Sequence, residues 1–197
     1  MALTDAELRK QGAYQGVFVG AIILFINVLS YYVITAMSLP FWFITVGLNV
    51  LLFILYIATT ASFIVSLRTK IGGYWSFKQA ATAIFFLAVV AYAINYVGRD
   101  LVFARLIEKN MATKTKDAIV NANVKRLQAE HISQDSIQKS TVIINKKIAA
   151  TDTTTAFQDA AGLPIILIML FVAAIIFAAM FKKDPPQYVK IERDRTA

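Results

Sequence analysis

The chain has 197 residues, 58% of them hydrophobic and only 16% charged, against roughly 25% charged in a soluble domain, so an ordinary water-soluble globule is excluded. Twenty Lys and Arg against twelve Asp and Glu leave a formal +8, which on so apolar a chain records membrane topology and argues against nucleic-acid binding. With no cysteine and one histidine, His131, thiolate catalysis, cysteine-ligated zinc, disulfides and iron–sulfur clusters are ruled out within this chain.

The first long apolar run, 13–37, is expected to cross a bilayer, since about 20 residues at 1.5 Å rise each span about 30 Å of hydrocarbon. It far exceeds the roughly 7–15 apolar residues of a signal-peptide core, so it reads as a retained helix. Helices in lipid approach closely only through small residues, and Gly12, Gly16 and Gly20 at four-residue spacing supply such a packing face. Asn27 and Tyr31 continue that stripe, and Asn27 is expected to point at protein.

After an uncharged Ser38-Leu39-Pro40 link, the second span, 41–67, has a stripe of Thr45, Asn49, Tyr56 and Thr60. Next comes a basic connection with Arg68, Lys70 and Lys78. Here Gly72 and Gly73 form a tight turn, followed by Tyr74 and Trp75, with Ser76 able to cap the third span, 77–98. That span ends in Tyr92, Asn95, Tyr96 and Arg99 at i, i+3, i+4 and i+7. The polar stripes could line a cleft or bond helix to helix. The second reading is preferred, because Lys78 at the mouth of the third span is the only acidic or basic side chain in any of them, whereas proton-coupled carriers keep one near the midplane.

From 99 to 162 the composition turns polar, with no proline, and a helical hairpin is expected. Its first helix continues the third span, breaks within the weak 112–116 stretch and resumes with Val120, Val124 and Leu127. Ser133 is read as the N-cap of a returning helix bearing Ile137, Thr141, Ile144 and Ile148, which fades over 151–155. Gly162-Leu163-Pro164 then opens the fourth span, 163–181, with proline in its first turn and small residues at Ala174 and Ala178.

Basic residues in the second connection and at Lys182 and Lys183 put both termini in the cytoplasm, and a connection as long as 99–162 is largely exempt from that bias. Aromatic residues agree, with Tyr31, Tyr32, Phe41, Trp42, Tyr92 and Tyr96 at the outer ends and Tyr14, Tyr74 and Trp75 at the inner ends. No phosphate-binding glycine loop, zinc-protease histidine pair or serine elbow occurs. Glu130 beside His131 is an acid/base pair in composition, but it falls at the hairpin turn, where solvated charges are the rule.

The run Ile71-Gly72-Gly73-Tyr74-Trp75-Ser76-Phe77-Lys78-Gln79-Ala80, with four spans and a long segment before the last, resembles the bacterial inner-membrane family catalogued as domain of unknown function 4199. The resemblance covers nearly the whole chain. Thr82 or Ala83 stands where that family commonly has a glycine, and Gly98-Arg99-Asp100 where it has an acidic–proline step. It implies no reaction and no catalytic residue, and it points to polyprenyl-phosphate glycosyltransferases as partners.

The expected fold is therefore an all-α integral membrane protein with four transmembrane helices and an extramembrane hairpin between the third and fourth. Its segments are 1–98, with three spans, 99–162, the periplasmic hairpin, and 163–197, the last span and a basic tail. Structural residues are expected at Gly12, Gly16, Gly20, Asn27, Asn49 and Asn95 for helix packing, and at Gly72, Gly73, Ser76 and Gln79 for the cytoplasmic turn. No enzyme activity, cofactor, metal or nucleic acid is expected. Membrane lipids, and either a protein partner or a second copy, are. The leading expectation is an accessory or interaction subunit of an envelope complex in the bacterial inner membrane; the alternative is a small transporter or lipid-handling protein.

Overall fold

The computed structural model describes residues 4–152 and 156–184, with side chains over 4–146 and 162–184, and among these residues every extended element is a helix. Helix α1 runs Asp5–Ala36. A π-wound turn, Phe43–Gly47, leads into α2, Leu48–Lys70. Helix α3, Phe77–Asn95, passes directly into a second π-wound stretch, Tyr96–Ile107. Then follow α4, Met111–Ala129, α5, Gln134–Asp152, and α6, Ala156–Phe181. Four stretches are long and apolar enough to span a membrane: Asp5–Ala36, Phe43–Lys70, Phe77–Ile107 and Gly162–Phe181, with mean hydropathies of 2.4, 2.3, 1.9 and 3.0.

Several boundaries differ from the sequence reading, each for a local reason. Helix α1 starts at Asp5, because Thr4 and Glu7 form a capping box in which the Glu7 carboxylate accepts from the Thr4 N–H (2.8 Å) and the Thr4 hydroxyl accepts from the Glu7 N–H (3.3 Å). The break expected within 112–116 falls instead at 108–110, where Glu108 leaves helical geometry (φ −121°, ψ 71°) and the threonines enter the first turns of α4. Pro164 lies inside α6, not in its first turn, since that helix is already wound from Ala156. Such an interior proline is tolerated where neighbouring groups can satisfy the carbonyl it frees. The fading expected over 151–155 falls partly outside the described residues.

Two compact units partition the chain, and both cut across the long helices. The first holds the chain up to Ile22, Ile57–Ile94 and the residues from Pro164 onward. In it, α1 and α3 run parallel and in direct backbone contact. A Cβ added at Gly12 would meet the Ala83 carbonyl, one at Gly16 would lie 2.6 Å from the Leu87 carbonyl oxygen, and one at Gly20 would lie 2.8 Å from that of Ala91. Ala80 and Ala83 on α3, and Ala174 and Ala178 on α6, are fully buried in the same unit, and Phe85 meets Phe171 edge to face at 5.8 Å.

The end of α2 follows from its glycines. Gly73 N–H donates to the Arg68 carbonyl (2.9 Å) and Gly72 N–H to that of Thr69 (3.2 Å), a Schellman closure that needs positive φ, here +104° at Gly72 and +80° at Gly73. Ser76 and Gln79 then cap α3 reciprocally: the Gln79 side-chain oxygen accepts from the Ser76 N–H (2.9 Å), and the Ser76 hydroxyl accepts from the Gln79 N–H (3.3 Å). Trp75, expected among interfacial aromatics, is only 1% exposed. Its indole N–H donates to the Phe181 carbonyl (2.9 Å), and its backbone pairs with Lys183 through bonds of 3.0 and 3.3 Å, so the last turn of α6 is closed by a residue over a hundred positions earlier.

The second unit holds Ile23–Tyr56 and Asn95–Leu163. Here α4 and α5 are joined by a short turn in which His131 takes the left-handed conformation (φ 56°), with the same Schellman pattern of His131 N–H to Gln128 (3.1 Å) and Ile132 N–H to Leu127 (3.0 Å). Buried Asn123 donates to the Ser140 hydroxyl (3.0 Å) and accepts from Arg126 (3.1 Å), whose guanidinium lies 5.2 Å from the centre of the Phe41 ring. Tyr31 packs edge to face on Phe103 at 5.5 Å, within the second π-wound stretch.

Candidate functional site

The second unit contains a cleft of about 770 Å³ walled by α1, α2, the second π-wound stretch and the start of α4. Its framework is a hydrogen-bond junction at Asn27. The Asn27 amide N–H donates to the Asn95 side-chain oxygen (2.9 Å), and its own side-chain oxygen accepts from the Tyr56 hydroxyl (2.7 Å). Three helices are thus tied at one side chain, and the amide spends one donor and one acceptor in doing so. Asn27 and Tyr56 also form part of the cleft wall.

Asn49, expected in helix packing, lines this cleft and donates to the Thr45 carbonyl one turn back on its own helix (2.8 Å). Thr45 likewise turns its hydroxyl to the Phe41 carbonyl (2.8 Å), so Thr45 and Asn49 bond back along their own helix while Tyr56 reaches across to Asn27. Ser30 back-bonds to the Ile26 carbonyl (2.7 Å).

One wall of the cleft is charged. Arg99 and Asp100, on the second π-wound stretch, approach to 3.8 Å with both side chains 41% exposed, a loose and solvated pair. Lys109 and Lys116 complete the wall and form no ion pair among the described residues. Lys114, between them in sequence, is held by Glu108 at 2.8 Å, and that hydrogen bond raises its pKa above the ordinary lysine value. On α1 and α2 the lining alternates apolar Ile34, Leu52 and Phe53 with polar Asn27, Ser30, Tyr31, Asn49 and Tyr56, and Phe53 remains 64% exposed. A change of winding of this kind is frequent at functional sites, because it re-aims side chains that a regular helix would send elsewhere.

The candidate acid/base pair has another occupation. Glu130 pairs with Arg126 at 3.3 Å, and His131 serves as the helix-ending residue of α4. Among the described residues no group of three or more His, Asp or Glu side chains is placed to hold a metal. In the first unit, Gln15 is only 2% exposed, and its amide nitrogen has no partner among the described residues. Lys109, Lys116 and Gln15 escaped the sequence reading, which placed Trp75 only as an interfacial aromatic. A signal existed for Gln15, which stands three residues after Gly12, but none for the lysines, whose positions depend on the altered winding.

The profile of the family described as protein of unknown function (DUF4199) matches residues 12–183. The chain belongs to that family. The match begins at the first glycine of the α1 ladder and ends at Lys183, the residue bridged to Trp75, so the DUF4199 region contains the glycine ladder, the Asn27 junction, the cleft and the α6 closure. No curated protein and no solved structure matches the chain.

Proposed function

We propose that this member of the DUF4199 family is a non-enzymatic, multi-pass protein of the bacterial inner membrane that accommodates a membrane-derived amphiphile in the cleft of its second unit. The observation that carries this reading is one cleft lined by both charged residues (Arg99, Asp100, Lys109, Lys116) and apolar ones (Ile34, Leu52, Phe53), part of it on helices long enough to span a bilayer. It favours the lipid-handling alternative over a purely structural subunit, since a structural bundle has no use for an open cleft beside its hydrogen-bonded junction. Both termini are assigned to the cytoplasm and the α4–α5 hairpin to the periplasm, on the basic residues of the α2–α3 connection and at Lys182 and Lys183.

A second reading, the accessory or self-associating subunit, is favoured by Val142 and Ile143 on α5. Both are exposed on a helix outside the four candidate spans. One experiment separates the two: a photo-crosslinking phenylalanine analogue replaces Thr115, which lines the cleft outside the four candidate spans, in one variant and Val142 in another, in native membranes. Lipid captured at 115 supports the cleft; a crosslinked dimer formed at 142 with no lipid at 115 would replace it with the second reading. Topology is tested by labelling Lys125→Cys from outside and Lys190→Cys from inside, and labelling of both from one side would refute the assignment.

A further inference from the structure

We infer that the amphiphile held in this cleft carries a phosphate monoester, recognised by Arg99, Lys109 and Lys116; the inference rests on the cleft reading and specifies its ligand. Three cations and one carboxylate line the cleft. Within the hairpin Lys114 is answered by Glu108 at 2.8 Å, Lys139 by Asp135 at 2.6 Å and Arg126 by Glu130 at 3.3 Å, whereas Arg105 and Lys146, which do not line the cleft, form no ion pair among the described residues. Lys109 and Lys116 have no such counter-ion among the described residues. The carboxylate that is present, Asp100, already leans toward Arg99, so the cleft keeps an excess of about two positive charges.

A monoester phosphate, carrying about −1.5 to −2 near neutral pH, matches that excess in magnitude, whereas a carboxylate or a diester supplies only about −1. Charges within a cleft whose lining includes Ile34, Leu52 and Phe53 act more strongly than on an open surface. Asn49 and Tyr56 add neutral polar groups beside the cations. The source of the phosphate is argued from Phe53. It lines the cleft, is largely exposed and lies on α2 within a candidate span, so an apolar chain attached to the phosphate has a continuous path from the cleft onto the apolar surface of that helix. A free phosphate would leave that path unused.

The test uses the full chain in a non-ionic detergent, with bound ligand counted by native mass spectrometry. Dioleoyl phosphatidic acid and dioleoylglycerol share acyl chains and differ in the phosphate, and inorganic phosphate lacks the chains. Phosphatidic acid is expected to bind on the order of tenfold or more tighter than dioleoylglycerol, each lysine near an anionic headgroup contributing severalfold. Lys109→Gln with Lys116→Gln should reduce that preference to within about threefold without changing dioleoylglycerol binding, and Lys139→Gln should leave it intact. Equal binding of the two lipids by wild type, or a preference that survives in the double variant, overturns the phosphate inference while leaving the cleft reading in place. Ala104→Trp fills the cleft, and undiminished binding of both lipids by a monodisperse Ala104→Trp protein overturns the cleft reading itself. Displacement of phosphatidic acid by an equal concentration of inorganic phosphate would support phosphate recognition but reject a lipid as its source.

Discussion

Replacing Gly16 with Ala tests whether direct backbone contact between α1 and α3 holds the first unit together. The new methyl would sit 2.6 Å from the Leu87 carbonyl oxygen and 2.9 Å from the Val90 Cβ, where an ordinary carbon–oxygen contact is about 3.3 Å. The obstruction on one side is backbone and cannot rotate away, so α1 must retreat by roughly 0.7 Å, at a cost of about 2–3 kcal/mol, the upper part of the range for overpacking. Against this stands a gain in helix propensity of about 1 kcal/mol for Gly to Ala, measured in water. The net expectation is a loss of about 1–2 kcal/mol, roughly a 5- to 30-fold shift in the folding equilibrium. Gly162→Ala is the matched control: this glycine lies in α6 with nothing within 4 Å of the added methyl among the described residues, so only the propensity gain remains. Both variants are compared with wild type by reversible unfolding in mixed micelles of increasing dodecyl sulfate content. If Gly16→Ala is as stable as wild type while Gly162→Ala is stabilised, propensity governs both sites and the close-contact argument is refuted.

Tyr56→Phe removes the hydroxyl donated to Asn27 and keeps the ring, and should cost about 0.6 kcal/mol in the same unfolding assay, while Asn27→Leu, which strands both Asn95 and Tyr56, should cost about 1–2 kcal/mol. Trp75→Phe keeps an aromatic ring but loses the indole donor to the Phe181 carbonyl. Amide exchange at Lys182 and Lys183 should accelerate several-fold, corresponding to about 1 kcal/mol, and unchanged exchange would mean the indole bond adds nothing to this closure. His131→Gly should stabilise the α4–α5 turn by about 1 kcal/mol, because glycine adopts the left-handed conformation without steric penalty. A catalytic histidine would instead show itself as lost activity with no gain in melting temperature.

The four spans were legible because membrane crossing is written in length and apolarity, which no tertiary contact can override. Asn27, Gly12, Gly16 and Gly20 could be singled out for a related reason: polar and small side chains in lipid have few tolerable surroundings. The capping pairs Thr4–Glu7 and Ser76–Gln79 share one spacing; of the four residues only Ser76 is legible as a cap, with Gln79 assigned to the turn, because Thr4 precedes a run of charged residues that masks the helix start. What stayed hidden depends on winding and on distant partners. Nothing local in Tyr96–Ile107 marks the change to π geometry that brings Arg99 and Asp100 to the cleft. Likewise, Trp75 looks like any interfacial aromatic until its partner at Phe181 is known.

The glycine ladder also has a degeneracy. Gly12, Gly16 and Gly20 meet Ala83, Leu87 and Ala91 at a constant offset, so both helices repeat every four residues along the seam. A repeating seam dictates which faces meet far more firmly than how high one helix stands against the other. Sliding α3 by one turn would present Gln79 to Gly12. That would set Gln79, held in its reciprocal bond with Ser76, against the closest backbone approach of the seam. Small residues along the seam therefore act as a smooth rail, and the capped end of α3 is the stop that fixes position on it.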